Sequence, residues 1–271
     1  IRDYKVTGVQ TCALPIYNWT GNRITCRDWF QLSLKEGLTV FRDQCFSADQ
    51  HGEALNRIEN VALLRNTQFR EDAGPTAHPV QPDCYEAIDN FYTTTIYEKG
   101  SELIRMLHTL LGEETFQRGM ALYVERHDGS AATCDDFVRA MEDAAAAAED
   151  SRRTPFSFGR FRRWYHQAGT PAVRIQRHWD GENGRLELTF HQHTPATPGQ
   201  PHKDPVVIPL ALGLLDRAGQ PLLPRLEGED AATAAAATLE RNRWGQATRL
   251  LVLEEAQHRV VFEGQIGRAH V

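Results

Sequence analysis

No uninterrupted apolar run in the sequence approaches the ~20 residues that a membrane-spanning helix requires, so a membrane protein built on helices is not expected. Positive charge is in the minority. Thirty Lys and Arg face 36 Asp and Glu, for a net charge of −6. That balance argues against a protein held to nucleic acid by backbone electrostatics. Cysteine is sparse, and five scattered residues make no disulfide framework. Cys26, Cys45, Cys84 and Cys134 suit reduced thiols of the cytoplasm, with core packing as their default role. No Gly-rich phosphate loop, C-x-x-C pair or G-x-S-x-G elbow occurs. A basic start followed by an apolar core is also missing, so no secretory signal is expected. What is present is ordinary for a globular chain: 271 residues, 41% hydrophobic and 24% charged, enough for two domains.

The apolar spacing changes once along the chain. Leu34, Leu38, Phe41 and Cys45 recur at helical intervals, and Ala54, Leu55, Ile58, Val61, Ala62 and Leu64 continue in a second helix. A polar loop is expected from Asp72 to about Asp89, because Pro75, Pro79 and Pro82 exclude a regular helix. Helices are predicted over about Tyr97–Leu111, ended by Gly112, and around Phe116, Met120 and Tyr123. Thr133 with Asp136 reads as a helix start. Ala144–Ala148 and the polar stretch after it read as a surface insertion. After Gly169-Thr170-Pro171 the period becomes two. Strands are predicted over Ala172–Trp179, Leu186–Phe190, Val206–Leu215, Leu250–Leu253 and Val260–Phe262. Short strands between Gly, Asn and Pro suggest a β-sandwich.

One stretch carries more than periodicity. Asn18-Trp19-Thr20-Gly21-Asn22, continued by Leu34-Lys35-Glu36-Gly37, closely resembles the zinc aminopeptidases of the aminopeptidase N (alanyl aminopeptidase) family in its bacterial form. Tyr97-Glu98-Lys99-Gly100 and Trp164-Tyr165-His166-Gln167-Ala168-Gly169-Thr170-Pro171 resemble two further signatures of that family. The resemblance spans residues 18–190 and weakens toward 265. It implies an α+β multidomain fold: the helical C-terminal half of a thermolysin-like peptidase domain over 17–169, then a β-sandwich domain over 170–265.

In that family an H-E-x-x-H helix supplies two zinc histidines and a general-base Glu, and a second helix supplies a third ligand. A catalytic zinc takes three protein ligands and leaves one position to water, whose pKa it lowers to ~7. By resemblance Glu36 is the third ligand, and Tyr17 occupies the position of the second zinc histidine. The resemblance also implies that the Tyr97 hydroxyl donates to the developing oxyanion, a contribution of ~3–4 kcal/mol for comparable donors. Tyr92 is expected to line the pocket for the first substrate side chain. Asp43 and Lys35 are candidates for support around the ligand. A solvated face accounts for Asp43 equally well, and a surface role accounts for Lys35 better.

The two ends read differently from the rest. Residues 1–16 and 266–271 back-translate into the two strands of a common sequencing adapter, so neither is expected to be native. The base trailing the first adapter would turn a His codon into a Tyr codon, so a His is expected at the position of Tyr17 in the natural gene. The resemblance therefore implies a cytoplasmic, Zn2+-dependent aminopeptidase acting on peptides, with no nucleic-acid or membrane partner. The chain itself is expected to be inactive, lacking the H-E-x-x-H half of its own catalytic domain, its missing partner. A non-catalytic interaction module on the same scaffold is the alternative.

Overall fold

The computed structural model describes residues 18–148, 155–239, 248–264 and 268–270. Their contacts form two units. The first takes the residues up to 148 together with 162–170 and 195–202. The second takes the remainder.

The first unit is helical. Its main helices are α1 (Leu32–His51), α2 (Glu53–Asn66), α3 (Gln68–Asp72), α4 (Gly100–Leu111), α5 (Glu113–His127) and α6 (Cys134–Ala146). Its core is where the spacing put it: Leu34, Leu38 and Phe41 of α1, Leu103, Leu107 and Leu110 of α4, Phe116 and Tyr123 of α5, Phe137 and Met141 of α6. Edge-to-face rings join these layers, with Phe41 5.8 Å from Phe116 and Tyr123 5.2 Å from Phe137. Gly112, at φ 74°, separates α4 from α5 in a conformation that favours glycine. α6 opens on the expected reciprocal cap: the Asp136 amide donates to Thr133 Oγ1 at 3.1 Å, and the Thr133 amide donates to Asp136 Oδ2 at 2.9 Å. A two-residue parallel pair, β1 (Thr25–Cys26) with β2 (Ala131–Ala132), closes the unit near the start of α1.

Two expectations need correction here, and the second predicted helix forms but is left uncovered. α6 runs to Ala146 and buries Ala144, so the surface insertion cannot begin at Ala144; residues 149–153 lie outside the described residues. α2 has no buried residue, and Leu55, Ile58 and Leu63 are exposed. Helical spacing defines an apolar face but does not supply the surface that covers it. Asp72 does not open the loop. It closes α3, a short helix that the sequence reading passed over.

The second unit is a two-sheet sandwich. β3 (Ala172–Asp180), β4 (Arg185–His193) and β9 (Gln257–Glu263) form one antiparallel sheet in the order β3-β4-β9. The other has the order β10-β5-β8-β7, from Arg268–His270, Ile208–Leu215, Thr248–Leu253 and Thr238–Leu239, with β6 (Pro221–Leu222) also on β5. Leu186, Leu188 and Phe190 alternate along β4 and face Leu212, Leu214, Leu251 and Leu253 of the other sheet, with Val260 and Phe262 of β9 beside them. The Ala231–Ala236 helix is capped by Asp230, whose Oδ1 accepts from the Thr233 amide at 2.7 Å. Among the described residues no helix is long and apolar enough to cross a membrane.

Candidate active site

The site is organised by an absence of side chains. α1 and α4 meet backbone to backbone at Gly37 and Gly100. A Cβ on Gly37 would lie 2.7 Å from the Gly100 carbonyl carbon, and one on Gly100 would lie 3.3 Å from Gly37 Cα. Any larger residue would push the helices apart. Glu36 immediately precedes one glycine. The other is immediately preceded by a five-residue π-helical turn, Thr95–Lys99, which also packs on α1 and carries Tyr97 at its centre. The two signatures that look unrelated in sequence are therefore neighbours in space.

Glu36 is 4% exposed. Lys35 Nζ lies 3.2 Å from its Oε1. The Lys35 stem lies across Gly21, where an added Cβ would meet its Cγ and Cδ at 2.8 Å. So Gly21 of the first signature seats Lys35 of the second. Asp43 is exposed two turns further along α1, about 10 Å along the axis. Tyr17 lies outside the described residues.

Tyr97 is half-buried against Leu32, Phe91 and Ile96. Its ring is 6.4 Å from that of Tyr92. Tyr92 is 54% exposed and stands edge-on to Trp29 at 6.5 Å. The structure thus brings Tyr92 and Tyr97 together as one aromatic rim. Beside Tyr97, burial first and the nearby Glu102 second raise the Glu98 carboxyl above its ordinary value.

A catalytic zinc needs three protein donors. Glu36 supplies a buried carboxylate of the right chemistry. However, among the described residues no three His, Cys, Asp or Glu side chains gather to hold a metal ion. These residues alone do not make a zinc site.

Sequence reasoning missed the polar residues that hold the Tyr97 turn. Lys99 Nζ, buried, donates to Asp72 Oδ2 at 2.8 Å and to the Gly169 carbonyl at 2.9 Å. Asp72, 4% exposed, also accepts from the Gly169 amide at 3.0 Å and from Thr170 Oγ1 at 3.0 Å. Burial pushes the Asp72 carboxyl upward, but the Lys99 ammonium and the converging donors outweigh it and hold it below the usual carboxylate range. At the other end of the turn the Thr95 amide donates to Glu71 Oε1 at 2.8 Å, and Gln68 Nε2 donates to Thr95 Oγ1 at 3.3 Å. The available signal was the spacing of Gln68, Glu71 and Asp72, which places all three on one face of α3.

Gln31, just ahead of α1, is a second buried hub. Its Oε1 accepts from the Cys134 amide at 3.0 Å and from Gln81 Nε2 at 3.2 Å. Its carbonyl accepts from the Cys26 thiol at 3.3 Å. Burial pushes the Cys26 thiol up to about 11 and that of Cys134 up to about 12. Both thiols pack and stay protonated. Cys45 and Cys84 are exposed, contrary to the packing role expected for all four.

Comparisons with known proteins fit this arrangement. Residues 15–154 match the peptidase family M1 domain, and residues 169–270 match a domain of unknown function with an Ig-like fold (DUF3458). Aminopeptidase N of Escherichia coli (strain K12) is 58% identical over 212 residues, covering 78% of this chain and 23% of that protein. Aminopeptidase N of Haemophilus influenzae is 53% identical over 213 residues, 79% of this chain and 24% of the relative. The chain thus spans about a quarter of the length of these relatives. The crystal structure of Legionella pneumophila aminopeptidase A in complex with aspartic acid superposes with a TM-score of 0.69 at 24% identity, covering 96% of this chain and 25% of that one. That likeness shows the shared fold, a helical peptidase part followed by an Ig-like domain. With its signatures meeting at one backbone crossing, this chain belongs to peptidase family M1, on the bacterial aminopeptidase N branch.

Proposed function

We propose that the intact protein containing this chain is a zinc-dependent aminopeptidase of the cytoplasm, removing N-terminal residues from peptides. The observation that carries this reading is the glycine crossing, which sets buried Glu36 and the turn bearing Tyr97 on packed elements. In the intact protein Glu36 would be one of three zinc ligands, with two histidines that the 271-residue sequence does not contain in the expected positions, Tyr17 standing at the second of them. When bound, the metal would polarise the scissile carbonyl and activate a water. The residues of this chain contribute beside it. The Tyr97 hydroxyl donates a hydrogen bond to the oxygen on which negative charge develops, and Tyr92 lines the pocket for the first side chain. Lys35 balances the charge of Glu36. The 271-residue chain alone lacks a general base and two ligands, so it is inactive.

The test is hydrolysis of an alanine anilide by the full-length protein and by the chain. Full-length protein should turn over and lose activity to a chelator. The chain should not turn over, and full-length Tyr97→Phe should lose roughly 100-fold in kcat. Turnover by the isolated chain, or wild-type kcat in Tyr97→Phe, would sink this reading.

A further inference from the structure

The π-helical turn bearing Tyr97 is unusual backbone, and its ends are held by one short helix. Such turns are rare and often mark functional positions. α3 has only five residues, yet it presents Gln68, Glu71 and Asp72 to the turn. Glu71 and Gln68 take Thr95, its first residue. Asp72 takes Lys99, its last. Tyr97 lies midway, and its amide donates to the Thr93 carbonyl at 3.2 Å. Thr93 is fixed in turn: its Oγ1 lies 2.9 Å from His78 Nε2.

A clamp of this kind is an odd choice if stability were its only purpose. Replacing a buried ion pair with well-packed apolar residues is often neutral or stabilising. Directional hydrogen bonds at both ends of a turn add something apolar packing does not, namely a fixed angle for the side chain between them. A displacement of about 1 Å in a catalytic group can cost 100-fold in rate. The anchor also reaches the third signature, because Asp72 binds the Gly169 amide and the Thr170 hydroxyl while Lys99 binds the Gly169 carbonyl.

We propose that α3 is a positioning clamp, in which Gln68, Glu71 and Asp72 hold both ends of the Thr95–Lys99 turn and thereby aim the Tyr97 hydroxyl. The proposal rests on the reading of Tyr97 as the oxyanion donor. It assigns these residues no contact with substrate.

The test uses the full-length protein with 3-fluorotyrosine at position 97. Fluorine NMR, kcat and KM for an alanine anilide, and the unfolding midpoint are read together. Glu71→Ala removes the acceptor for the Thr95 amide at a site with some exposure, so it should fold. It should lower kcat about tenfold with KM within about twofold, and shift or broaden the fluorine resonance. Glu71→Gln keeps an Oε1 acceptor and should rescue both readouts, which a loss of charge or bulk stability would not explain. Asp72→Asn should have the larger effect on kcat. Wild-type kcat in folded Glu71→Ala and Asp72→Asn, beside a crippled Tyr97→Phe, overturns the clamp alone. Wild-type kcat in Tyr97→Phe overturns the oxyanion reading and the clamp with it. Failure of Glu71→Gln to rescue also overturns the clamp.

Discussion

α1 and α2 adjoin in sequence and carry apolar residues at the same spacing, yet they meet different fates. α1 buries Leu34, Leu38, Phe41 and, among them, the polar Glu36. α2 leaves Leu55, Ile58 and Leu63 exposed and buries no residue. The difference lies in what covers each helix. α4 closes on α1 to backbone contact at Gly37 and Gly100, while α2 touches α1 along one side. A periodic stripe states which face should be dry. Whether it becomes dry depends on another element whose own sequence permits close approach.

The sharpest test of this contrast lies at the polar anchor beside α1. Asp72→Asn leaves buried Lys99 without its counter-charge and should destabilise the protein by ~3–5 kcal/mol, read by denaturant unfolding. The same carboxylate sets a pH dependence. Its pKa in the folded state lies below that of the unfolded chain, ~3.9. Its contribution is therefore complete above that unfolded value and is lost as pH falls through the lower, folded one. Stability of the wild type should drop below about pH 4, and this part of the slope should vanish in Asp72→Asn.

Smaller effects follow in order. Leu38→Ala empties a fully buried site on α1 and should cost ~2–5 kcal/mol by thermal unfolding. Gly37→Ala places a methyl against the Gly100 carbonyl and should cost ~1–3 kcal/mol. Leu55→Ala and Ile58→Ala on α2 should each change stability by less than ~0.5 kcal/mol. If either matched Leu38→Ala, the contrast between the helices would break.

Much of the core of the helical unit and the five long strands β3, β4, β5, β8 and β9 could be read from the sequence, because apolar period two or 3.6 is a local signal; the short β6, β7 and β10 could not, because two or three residues carry no period. Leu38, Leu107, Leu188 and Phe262 stand where their spacing put them. The site was legible in part. Glu36, Tyr97 and Tyr92 emerged from resemblance, and the structure sets the two tyrosines side by side. Asp72, Glu71 and Gln68 escaped because a polar face on a short helix reads as solvated until its partner is known. That partner, Lys99, lies 27 residues away in sequence. Gly37 and Gly100 escaped for a related reason: a glycine inside a helix signals nothing until another backbone is seen against it.

A contact made without side chains has no rotamers to relax and no methylenes to trim. The separation between the helix bearing Glu36 and the turn bearing Tyr97 is thus a property of two main chains. Neighbouring core positions such as Leu34 or Leu103 can be exchanged for residues of similar volume without recalibrating that separation. An engineer seeking to change side-chain preference has freedom around Tyr92 and Trp29, and almost none at the crossing.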